Sequence, residues 1–140
     1  MRIISLLLLA GWASWAGALQ STATMKQLMV DMIHPASNEI LLFVSRGDPQ
    51  DDREWDRVRR SAITLAESGN LLMMPGRARD QGDWMKDAKL LVDVGNAAYN
   101  AAQDKDAKAV AALTQSLDAS CTTCHKQYRP NVFPRSGDSK

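Results

Sequence analysis

Four stretches of this chain repeat their apolar residues every three or four positions. That period limits the possible fold more than any other feature of the sequence. The first stretch carries Met25, Leu28, Met29, Met32, Ile33, Ala36, Ile40, Phe43 and Val44, and Arg46-Gly47-Asp48-Pro49 closes it. The second carries Trp55, Val58, Ala62, Leu65, Ala66, Gly69, Leu72 and Met73, with Asp51 or Asp52 able to cap its start and Pro75-Gly76 to stop it. The third runs Trp84, Ala88, Leu91, Val92, Gly95, Ala98, Tyr99 and Ala102, behind Asp80 or Asp83 as cap. The fourth runs Val110, Leu113, Thr114, Leu117, Cys121, Cys124, His125 and Tyr128, and Pro130 ends it. Each stretch makes about 20 residues of helix, ~30 Å long. No alternating β-branched run competes, so the chain is expected to be all-α, an antiparallel four-helix bundle. Pro35 interrupts the first stretch and predicts a kink or two abutting helices there, because it lacks an N–H and clashes one turn back.

A length of 140 residues suits a single domain, and 45% hydrophobic residues suffice to bury a core. The formal charge of +1 excludes a strongly basic nucleic-acid binder, and 6% aromatic residues disfavour a base-stacking surface. Two cysteines are too few for a disulfide scaffold.

Residues 1–18 read MRIISLLLLAGWASWAGA. Arg2 is a short positive lead, Ile3 to Ala10 an apolar centre, and Ala16-Gly17-Ala18 a small-residue cleavage site, the pattern of an export signal. An uncleaved membrane anchor is the competing reading, at the lower limit of spanning length. Cleavage after Ala18 leaves a bundle over 19–130 and a polar, loose tail over 131–140. The mature chain would then work in the periplasm, with no stable membrane insertion.

The chemistry concentrates in Cys121-Thr122-Thr123-Cys124-His125. On a helix these three functional side chains share one face and continue the apolar stripe into the bundle. C-x-x-C-H is the attachment signal for c-type haem. Two thiols one turn apart can each add to a vinyl group, and the adjacent imidazole then meets the iron. Other readings are a thioredoxin-like pair, a structural zinc site, or two ordinary buried thiols able to form a disulfide. The first wants a helix N-terminus. The second wants about four ligands, whereas His34 is the one other histidine.

The chain resembles the class II cytochromes c, the cytochrome c prime family, across about residues 25–130. The motif lies near the C-terminus of a fourth amphipathic helix and continues as Tyr128-Arg129. The resemblance implies one covalent haem c held by Cys121 and Cys124, with His125 as proximal iron ligand. It also implies that the residue on the iron's other face comes from the first helix. Met29 best matches that position, in the methionine-ligated low-spin branch; Met25, Met32 or no ligand at all are the alternatives, and His34 a weaker rival. Where many members carry Arg-Gln, this chain has Met25 and Lys26, which makes Lys26 a candidate propionate partner. Arg129 follows the motif and belongs at the haem edge.

A methionine ligand implies a single-electron carrier that meets redox protein partners and is not an enzyme. An open distal site implies a cytochrome that binds nitric oxide or carbon monoxide. By analogy with the family, a homodimer through the first two helices is expected. Trp55 and Trp84 read as core residues at the bundle ends. Arg77 and Arg79 read as solvated loop charges, with propionate pairing as the alternative. Arg53, Arg57, Arg59 and Arg60, interleaved with Glu54 and Asp56, read as a solvated face. The small residues Ala62, Ala66, Ala88, Gly95, Ala98 and Ala102 suggest room for a porphyrin, and hence a loose core without it.

Overall fold

The computed structural model describes residues 20–47, 49 and 51–132. The segment expected to be an export signal, 1–18, and residues 133–140 of the expected tail lie outside the described residues. Among the described residues there is helix and no strand.

The first bundle element is composite. Its opening turn is α1 (Met25–Gln27), capped by a reciprocal pair in which Gln27 N–H donates to Thr24 Oγ1 and Thr24 N–H to Gln27 Oε1. A π-helical turn follows over Leu28–Ile33, and then α2 (His34–Leu41) and α3 (Phe43–Arg46). The π turn accounts for Pro35. In a regular α-helix Asp31 C=O would lose its donor and meet the proline ring. Widening the preceding turn, so that His34 N–H donates to Met29 C=O, relieves both without a break in the chain. Gly47, at φ +80°, ends α3 in a conformation other residues avoid.

The second element is α4 (Asp52–Leu72), where Asp51 Oδ1 accepts from Glu54 N–H at 2.9 Å and caps the start. The third is α5 (Asp83–Gln103), and Asp80 Oδ1 accepts from Gly82 and Trp84 N–H at its entrance. The fourth is split at Leu113 into α6 (Ala107–Ala112) and α7 (Thr114–Tyr128).

The neighbours run antiparallel. Gly69 meets Ala88 and Val92 while Gly95 meets Ala62 and Ala66, so α4 descends as α5 ascends. Trp84 stacks edge-on against Tyr128, with ring centres 4.9 Å apart, and Gln127 Nε2 donates to Asp83, which pairs the start of α5 with the end of α7. Leu28, Ile40, Val58, Leu65, Val110 and Leu117 are fully buried at the centre. Burying each such side chain contributes about 1.5–3 kcal/mol.

The small residues do a different job from the one their sequence pattern suggested. A Cβ on Gly95 would stand 2.6 Å from Ala66 N and 2.9 Å from Ala62 O, so α4 and α5 touch backbone to backbone. Ala62, Ala98 and Ala102 are fully buried. Ala62, Ala66 and Gly95 allow this close helix contact; of the six small residues, only Ala88 lines a cavity described below. Arg77 also departs from expectation. It is 8% exposed, and its guanidinium donates to Ser21 Oγ, Ala23 C=O (2.7 Å) and Leu71 C=O (3.4 Å). It clamps the segment before α1 against the turn after α4 and is no solvated loop charge.

Candidate functional site

The apolar stripes are buried along most of their length and become half-buried at one end of the molecule. Met25 and Met29 at the start of the first element, and Cys121, Cys124, His125 and Tyr128 at the end of α7, are all intermediate in exposure. They border two connected hollows. An outer cleft of about 480 Å³ is lined by Met25, Lys26, Met29, Val30, Arg79, Trp84, Cys124, His125, Tyr128 and Arg129. An inner cavity of about 30 Å³ lies among Met29, Ile33, Leu72, Trp84, Asp87, Ala88, Leu91, Ser120, Cys121, Cys124 and His125. Met29, Trp84, Cys124 and His125 border both.

Each wall has a local cause. Cys121, Cys124 and His125 fall on one face because α7 is regular through Tyr128. Met29 belongs to the π turn that Pro35 imposes, and it reaches both hollows. Met32 belongs to the same turn and borders neither. Met25 borders only the outer cleft. His34 is exposed and lies beside Asn38, away from both. Trp84 is pinned by its indole N–H, which donates to Leu72 C=O at 2.8 Å, and by the Tyr128 ring. Tyr128 in turn donates its hydroxyl to Asp80.

The electrostatics divide the site in two. Among the described residues Lys26, Arg79 and Arg129 line the outer cleft, and no carboxylate does. The inner cavity has one carboxylate, Asp87, which is 8% exposed. Burial, and secondarily the Asp87 charge, push the Cys124 thiol up to about 11. Burial also raises the Cys121 thiol. Both cysteines are free, and at neutral pH both are protonated, the opposite of the depressed thiols of disulfide oxidoreductases. Burial, and then the Arg129 cation, push His125 below the ordinary imidazole value and favour its neutral ring, the form in which an imidazole ligates a metal.

A bare metal ion has no ready site, because among the described residues no group of three or more His, Cys, Asp or Glu could hold one. The donor set suits a prefabricated cofactor better. It offers two thiols one turn apart, a neutral imidazole beside them and a thioether across the cleft. The floor is apolar and the mouth cationic, and the outer volume lies within the ~300–1,000 Å³ of cofactor sites. A flat, apolar, metal-bearing group with anionic substituents fits these residues.

Sequence reasoning assigned Cys121, Cys124, His125, Met29, Lys26 and Arg129 to one site, and all six border these hollows. It missed Asp87 and Ser120, which have no distinguishing neighbours in the sequence and interrupt the expected stripes. Trp84 was expected in the core and borders both hollows as well. Among the described residues no helix is long and apolar enough to cross a membrane. No protein-family model, curated protein or solved structure matches this chain.

Proposed function

We propose that this protein is an exported, monohaem c-type cytochrome similar to class II cytochromes c, and that it carries single electrons between redox proteins. One observation carries the reading: Cys121, Cys124 and His125 from the end of the chain and Met29 from its beginning border the same cavity. Met29 and the motif are more than 90 residues apart in sequence, and only the antiparallel bundle brings them together.

A bound haem would supply a one-electron ferric–ferrous couple. Cys121 and Cys124 would hold it through thioethers, each S–H adding across one vinyl C=C with no oxidant consumed. His125, already neutral, and Met29 would supply ligands to the iron. Methionine raises the reduction potential relative to a second histidine. Lys26, Arg79 and Arg129 would face the propionates, since these cations line the mouth. Ile33, Leu72, Trp84 and Leu91 keep water from the inner side.

The test is production of the full chain in a host with c-type maturation machinery. Mass spectrometry of the denatured protein is expected to show one haem added to a chain beginning at residue 19. Haem that extracts into acidified organic solvent would show that no thioether forms. The ferric spectrum is expected to be low-spin with the weak long-wavelength band of His/Met coordination. Met29→Ala is expected to abolish that band, leave the iron high-spin and open it to carbon monoxide, whereas Met32→Leu leaves the spectrum almost unchanged. A wild-type protein already high-spin and avid for carbon monoxide would replace electron transfer by gas binding.

A further inference from the structure

Among the described residues Asp87 is the one carboxylate that borders the inner cavity, beside the neutral His125 ring. It stands on α5 between the otherwise apolar positions Trp84, Ala88 and Leu91. Its side chain is more than nine-tenths buried, and its Oδ2 has no hydrogen-bond partner among the described residues. Burial, and then the Asp83 and Asp80 charges, oppose its ionisation and hold its carboxyl above the ordinary carboxylate range, while the Lys86 cation favours ionisation. An unpaired buried carboxyl weakens a fold. An alanine or leucine here would continue the stripe at no such cost. The position is therefore costly to the bundle at the place where the bundle meets the cofactor cavity.

We propose that Asp87 is a potential-setting residue, a carboxylate that acts on the bound haem from the α5 side and favours ferric over ferrous iron. The inference rests on the haem reading above. Ferric iron carries one more positive charge than ferrous iron, and a nearby anion stabilises it in proportion to that difference. Inside the cavity the dielectric is low, and without a hydrogen-bonded partner the charge on Asp87 Oδ2 is not neutralised locally. Lys26, Arg79 and Arg129 act in the opposite direction, but they stand at the outer mouth, where salt screens them. Asp87 thus offsets the raising effect of a methionine ligand and a cationic mouth.

The experiment is a spectroscopic redox titration of the haem-loaded, full-length protein and its variants above neutral pH, in low and in high salt. Asp87→Asn is nearly isosteric and neutral. It is expected to move the ferric–ferrous equilibrium about tenfold towards ferrous, a rise of ~59 mV for a one-electron couple. The shift should persist in high salt, because a buried charge is little screened. Asp87→Leu is expected to reproduce the rise, and it serves as the neutral variant if Asp87→Asn does not accumulate. Asp87→Glu, which restores the charge, is expected to stay close to the wild type. A haem-loaded Asp87→Asn or Asp87→Leu protein with the wild-type potential would overturn this inference and leave the haem reading intact. An equal rise in Asp87→Glu would also overturn it, by assigning the effect to packing. A wild-type protein without covalent haem would overturn both.

Discussion

Tyr128 shows how single side chains join the elements that form the site. Its ring meets Trp84 edge-on and its hydroxyl donates to Asp80, so one residue of α7 grips both the first turn of α5 and the loop before it. The hydroxyl is held well above the usual phenol range by burial and by the Asp80 carboxylate. Asp80 is held below the usual carboxylate range, chiefly by the Tyr128 hydrogen bond. A depressed carboxylate contributes stability above its unfolded value near 3.8, and that contribution is lost as pH falls through the lower folded value. Tyr128→Phe is therefore expected to lower the unfolding midpoint at neutral pH by a small amount. The difference from the wild type should vanish in acid, once Asp80 is protonated in both proteins. Urea titrations at a series of pH values measure this, and a difference that persisted unchanged in strong acid would remove Asp80 as its source.

At the scale of the element, α4 and α5 form the rigid half of the bundle. At Gly95 they touch closely, and the atoms a Cβ would strike, Ala66 N and Ala62 O, belong to backbone that cannot rotate away. Gly95→Ala gains about 1 kcal/mol of helix propensity. It must also push two helices apart, and overpacking of this kind costs about 1–3 kcal/mol. A net loss of roughly 0–2 kcal/mol is expected from denaturant unfolding; a more stable variant would mean that the α4–α5 separation is not set by this contact. The first element is the pliable one, since a π turn and a break at Leu42 divide it and its opening turn carries Met25 at the cleft.

For the whole molecule, this division predicts how the fold would respond to the haem proposed above. The close α4–α5 contact needs nothing in the cavity, so the haem-free chain is expected to keep that hairpin. Met25, Met29, Cys121, Cys124, His125 and Tyr128 are only half-buried, and their segments should open more readily. Hydrogen exchange on haem-free protein is expected to be slowest in α4 and α5, and faster in the π turn and the last turns of α7. Loading with haem should slow those fast amides by about tenfold or more, with little change in α4. Loss of the α4–α5 helices on removal of haem would instead mean that the cofactor organises the whole bundle.

The four-helix pattern was legible in the sequence because a 3.6-residue period commits each stretch to one buried face whatever its neighbours are. Trp55, Val58, Ala62, Leu65, Leu72, Leu91, Ala98 and Leu117 all lie where that period put them. Cys121, Cys124 and His125 were legible for the same reason, since positions i, i+3 and i+4 share a helical face before any partner is known. The period says nothing about distances between helices, so Ala62, Ala66 and Gly95 suggested open space where α4 and α5 touch backbone to backbone. It does not register a π turn, which changes the helical step over only a few residues and here separates Met29 from Met32. Arg77 and Asp87 were beyond it altogether. A charged residue looks solvated in sequence, and its burial depends on which elements close over it. The arrangement of the two ends of the chain was settled only by the antiparallel packing, because it depends on contacts between residues far apart in sequence.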